Sequence, residues 1–156
     1  MNFVQKLWRA ARAATLLGQV QTLLGRGQAE AAWPRLVSLE ALCTWLSAEH
    51  QFRVEVDMLS GLAALRLGDW NLSFFHARRA VASLRHASSR VPPPTRDYLL
   101  YYCRVLIEHV SWQLGGHPYD AATLTGVTFA DVTPDGVPRD VILRFPIEPP
   151  AAAGVS

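Results

Sequence analysis

Apolar residues recur at steps of three and four along most of the first 114 positions, the spacing of one face of an α-helix. The pattern predicts helices over 2–24, 28–48, 51–67, 70–87 and 96–114. Gly25 and Gly27 break the first run and Gly68 ends the third. Pro34 belongs in or near a first turn, or else it kinks the second helix. The stretch "SSRVPPPT" at 88–95 reads as non-helical, because three consecutive prolines remove donors. Thr95 then stands as the cap of the fifth helix. Gly115-Gly116 closes that helix, and "HPYDAATL" leaves room for at most a short sixth one.

After Leu124 the period changes from 3.6 to two. "GVTFADVT" and "VPRDVILRFPI" flank "PDG", with Asp135-Gly136 as a hairpin turn signal. Val137, Val141, Leu143, Phe145 and Ile147 share one side of the second strand with Arg139. The expected organisation is therefore a helical domain over 1–124, a C-terminal β-hairpin over 125–148 and a disordered tail over 149–156. A lone hairpin is marginal in water, so this one is expected to pack on the helices or to pair with a second copy in a homodimer.

Three helix ends share one punctuation: "LLGRGQAEAA", "RLGDWNLSFF" and "QLGGHPYDAA". Each reads Leu-Gly, a few small or polar residues, then a new helix. Gly25, Gly68 and Gly115 recur at 43 and 47 residues, the mark of stacked helical hairpins. In the middle unit Gly61, Gly68, Asp69, Trp70 and Ala80 stand at the places where a tetratricopeptide repeat has its small residues and turn aromatic, so the chain resembles that family over about residues 5–124. Gly18 and Gly25 repeat the seven-residue step of Gly61 and Gly68. The departures are a period longer than the family's usual 34, Ser73 for Ala, Ala77 for an aromatic and Glu108 in the small position of the third unit. A plain helical bundle is the rival architecture.

The resemblance implies a mainly α fold of stacked antiparallel hairpins, five or six helices in all, with the first helix of each pair lining a concave groove. Placed on this chain, the groove positions are Arg12, Thr15, Gln19 and Thr22, then Glu55, Met58, Leu62 and Arg66, then Tyr102, Val105, His109, Trp112 and Gln113. Such a mixed aromatic, polar and basic stripe suits a peptide or helix from a protein partner. It implies a non-catalytic adaptor, chaperone or regulator. The resemblance also implies a Trp70 buried at the joint between paired helices.

Composition narrows the rest. Half of the 156 residues are hydrophobic and 18% are charged, which excludes a disordered body. The richest stretch, "VEVDMLSGLAALRL", carries Glu55, Asp57 and Arg66, so no segment reaches the length and apolarity of a membrane helix. A net charge of +2 carries no strong nucleic-acid signal. Arg78, Arg79, Arg85, His86 and Arg90 read as a solvated basic face, or as a phosphate or acidic-peptide contact. Cys43 and Cys103 sit in apolar runs and read as buried free thiols in a reducing cytoplasm. The five histidines fall in no His-Glu-x-x-His pattern, and no phosphate loop or nucleophile elbow is present, so neither metal, cofactor nor catalysis is expected.

The N-terminal run has basic Lys6, Arg9, Arg12 and Arg26 with no acid before Glu30. It reads as the first helix of the domain, with Phe3, Val4, Leu7, Trp8, Ala11 and Ala14 turned inward. The alternative is a basic amphipathic helix associating with a membrane surface or nucleic acid.

Overall fold

Asn2 opens the first helix with a capping box. Its side chain accepts from the Gln5 N–H at 2.8 Å, and the Gln5 side chain accepts from the Asn2 N–H at 3.1 Å. The computed structural model describes residues 1–86 and 89–114. Five helices follow in order among these residues: α1 (Phe3–Gly25), α2 (Ala29–Leu42), α3 (Gln51–Arg66), α4 (Trp70–Arg85) and α5 (Pro93–Gln113). The expected short sixth helix, the β-hairpin over 125–148 and the tail lie outside the described residues.

The two hairpin turns are built alike. After α1, the Gln28 N–H donates to the Leu23 carbonyl at 2.9 Å and the Gly27 N–H to Leu24 at 3.0 Å. After α3, Asp69 donates to Ala64 at 2.9 Å and Gly68 to Leu65 at 3.1 Å. Both are the paired carbonyl bonds of a left-handed helix stop, and they need positive φ at Gly27 (73°) and Gly68 (77°). The counterpart of Gly68 is thus Gly27. Gly25, expected in that role, is the last residue of α1. The repeat step becomes 41 residues from Gly27 to Gly68 instead of 43.

Burial follows the same step. Ala13 and Val54, Leu16 and Asp57, Val20 and Gly61, Leu24 and Leu65 are buried pairs 41 residues apart in α1 and α3. Ala32 and Ser73, Leu36 and Ala77, Leu39 and Ala80, Cys43 and Leu84 continue the relation through the second helices. The α1–α2 and α3–α4 hairpins therefore bury equivalent positions, and α5 lies against α4 and α3. A single core joins residues from all five helices with Val91, and a smaller cluster gathers Ala13, Leu16, Leu39, Cys43 and Val56.

Gly61 lets α3 sit at the centre. A methyl group built on it would meet Leu106 Cδ1 of α5 at 3.3 Å, the Ser73 carbonyl of α4 at 3.5 Å and the Ala77 nitrogen at 3.6 Å. Ser73, the departure from Ala, donates its hydroxyl to the Gly61 carbonyl at 2.7 Å. Eleven of the sixteen residues of α3 are buried in consequence. Gly18 has open space beyond it, so it does not share the role of Gly61. Trp70 is half-buried against the core as the first residue of α4, with Asp69 capping that helix through the Leu72 N–H at 3.1 Å.

Three sequence expectations change. The proline run does not exclude helix: α5 begins at Pro93, and the first helical bond runs from the Arg96 N–H to the Pro92 carbonyl at 2.8 Å. Pro93 and Pro94 occupy the first turn, whose N–H groups have no helical acceptor anyway. α2 ends at Leu42 rather than 48, with Pro34, its sixth residue, near the first turn as expected. The third correction is in α1. Phe3, Val4, Leu7, Trp8, Ala11 and Ala14 are exposed, not turned inward. The core side of α1 is Ala13, Leu16, Val20 and Leu24. Val4 and Ala13, Leu7 and Leu16, Ala11 and Val20 are each nine residues apart, about two and a half turns, and so lie on opposite sides of the helix.

Candidate functional site

Asp57 is the one acid that the packing drives inside α3, at 5% exposure. Two residues one turn apart on α4 meet it. The His76 Nδ1 lies 3.0 Å from Asp57 Oδ1, and the Arg79 Nε lies 2.9 Å from both carboxylate oxygens. A second Arg79 nitrogen, Nη2, bonds the same carboxylate and also Glu40 Oε1 of α2. A carboxylate only accepts, so His76 Nδ1 is the donor of its pair. The cluster ties α2, α3 and α4 together. One guanidinium answers two carboxylates, so these three groups together carry one excess negative charge. The hydrogen bond to Asp57 raises the Arg79 pKa further above the ordinary arginine range; partial burial opposes this, and Glu40 adds to it.

Aromatic rings surround the cluster. The His76 ring meets Trp33 of α2 edge-on at 6.3 Å and Phe75 at 5.3 Å, and the Arg79 guanidinium lies 5.1 Å from the centre of the Phe75 ring. Yet Phe75 is 53% exposed. Val37, one turn beyond Trp33 and one before Glu40 on the same side of α2, is 54% exposed. The outer face of α2 and α4 thus shows Trp33, Val37 and Phe75 around a charged anchor.

His76 is 4% exposed and enclosed by the rings, with its Nδ1 committed to Asp57. Among the described residues no three of His, Cys, Asp and Glu converge as a metal ion requires. Cys43 and Cys103 are free and buried, and burial raises both thiols above their ordinary range.

The groove positions fare differently from one another. Met58, Leu62 and Tyr102 are core residues at 4%, 0% and 1% exposure, which removes the middle of the expected stripe. Arg12, Thr15, Gln19 and Thr22 are exposed on α1; both threonine hydroxyls bond back to their own helix, and Gln19 accepts from Arg35 of α2 at 3.1 Å. Glu55 accepts from Gln51 at 2.7 Å. Arg66 donates to the Leu24 carbonyl at 2.7 Å, so it caps the end of α1. Val105 and His109 are half-buried and Gln113 is exposed on α5, with Trp112 in the same last turn. The chain does not assemble these residues into one open surface.

The basic stretch also divides. Arg79 turns inward to Asp57, Arg78 lies 5.5 Å from the centre of the Phe74 ring at the surface, and His86 stands 3.7 Å from Glu49. Sequence reasoning missed the cluster itself. Its one local signal was Asp57 in the apolar-rich stretch 54–67, which also carries Glu55 and Arg66. No family model, no curated protein and no solved structure matches the chain.

Proposed function

We propose that the chain is a non-catalytic protein-interaction module, a tetratricopeptide-like array of helical hairpins that holds a peptide or helix of a partner protein. The observation that carries this reading is Phe75: half of its surface is open to solvent while its ring is held between His76 and Arg79. An exposed aromatic already fixed in place loses little side-chain freedom on binding, the property of an interface anchor. Val37 and the half-buried Trp33 extend the same patch. The partner side is then an apolar peptide or helix face, and the recognition surface is the outer face of the second helices instead of a groove lined by the first.

The test is capture of a stoichiometric protein partner from an extract of the source cells, repeated with Val37→Glu and Phe75→Glu. Both residues are exposed, so the melting temperature should stay close to that of the parent chain. Loss of the partner from both variants supports the reading. Retention by both places the contact elsewhere.

A further inference from the structure

The N-terminal half of α1 has an apolar face that nothing in the described chain covers. Every residue from Met1 to Trp8 is exposed. Phe3 is 78% exposed, Val4 70%, Leu7 59% and Trp8 59%. With Ala11 they form one stripe, at positions i, i+1, i+4, i+5 and i+8 of a helix. The stripe points away from the core side, so the other described helices do not obstruct a flat surface approaching it. Lys6 and Arg12 flank it, and Arg9 lies behind. An apolar stripe of this kind on a water-soluble surface marks a contact site.

Charge selects the occupant. Residues 1–29 hold no acid, and the first turn of α1 carries none. The capping box is closed by two neutral residues, Asn2 and Gln5. The positive end of the helix dipole is therefore left uncompensated, although an Asp or Glu there would stabilise the helix. An anionic plane supplies that missing charge, and an acid at these positions would be repelled by it. Phe and Trp on the apolar side with Lys and Arg at its edges are the residues that seat a helix at the boundary of headgroups and acyl chains.

From this we infer that the first half of α1 lies in the surface of an anionic membrane, with Phe3, Val4, Leu7 and Trp8 inserted among the acyl chains and Lys6 and Arg12 at the headgroups. The site is separate from the Phe75 patch, so either can fail without the other.

The experiment is flotation of the full chain with phosphatidylcholine vesicles that contain or lack phosphatidylserine, at low and high salt. The expected result is binding to the anionic vesicles that falls with salt. Lys6→Gln with Arg12→Gln should weaken it roughly 25-fold, since each basic residue near an anionic surface contributes about fivefold. Leu7→Glu and Trp8→Glu should each abolish it, with the melting temperature of both variants unchanged because neither residue packs on the core. Absence of flotation with anionic vesicles overturns the inference. So does equal binding to vesicles without phosphatidylserine. Sedimentation without vesicles supplies the third adverse result: a dimer that Leu7→Glu dissociates would assign the stripe to a second copy of the chain.

Discussion

Arg79 on α4 grips the carboxylate of Asp57 on α3 from the side, with its Nε 2.9 Å from each oxygen, and reaches past it to Glu40 on α2. The two carboxylates are not equivalent. The Asp57 side chain is 7% exposed, and that of Glu40 is 40% exposed. Arg79→Ala strands a buried charge and should cost about 3 kcal/mol, whereas Glu40→Gln should cost under about 1 kcal/mol. Urea denaturation of the two variants checks the difference, and equal losses would mean that Asp57 is not shielded from water.

The glycines of the first turn separate by conformation. Gly27→Ala forces a side chain into positive φ and should destabilise by about 1 kcal/mol, as should Gly68→Ala. Gly25→Ala sits in α1 with open space around it and should stabilise by about 0.5–1 kcal/mol. Thermal melts of the three variants give the signs directly. A stabilising Gly27→Ala would shift the repeat step back to Gly25.

Gly61 and Gly18 should respond in opposite directions. Gly61→Val would push into Leu106 and into the backbone of α4, and overpacking of this kind costs about 3 kcal/mol. Gly18→Ala meets nothing within 4 Å and should gain about 0.5–1 kcal/mol in helix propensity. Chemical denaturation measures both; a tolerated Gly61→Val would show that α3, α4 and α5 can move apart.

Alkali should unfold the chain. Burial, with a smaller contribution from Asp57, pushes the Cys103 thiol well above its ordinary 9.0. Burial likewise raises Tyr102 well above 10.0. Both are neutral when protonated, so the folded state keeps a proton that the unfolded chain gives up. Their contribution to stability is complete below pH 9.0 and is lost as pH rises, at about 1.4 kcal/mol per pH unit for each such group. Urea midpoints measured from neutral pH upward should fall above pH 9.0, and Cys103→Ala should flatten the fall whatever it does to the midpoint at neutrality. A midpoint that stays level through this range would show the thiol ionising inside the fold.

The five helices and the stop at Gly68 were legible along the chain because they are local, whereas the end of α2 and the role of Gly27 were not. Asp69 caps the helix that begins one residue later, and Gly68 bends the chain where it stands. These outcomes depend on torsions and bonds within a few residues. Even the proline error was local, a matter of which N–H groups a first turn leaves without an acceptor.

The side of each helix that the core takes was decided by tertiary structure alone. α1 carries two apolar stripes, one through Val4, Leu7 and Ala11 and one through Ala13, Leu16 and Val20. Periodicity detects both and cannot choose between them. The choice was made where α2 and α3 return against the second stripe, leaving the first uncovered among the described residues. The same holds for Asp57, Arg79 and Glu40, which come from three helices. Met58 and Tyr102 are buried for that reason too: α4 and α5 close over the helix that the hairpin pattern left open on one side. A residue's neighbours along the chain determine how its backbone turns, but its burial depends on which distant segment arrives beside it.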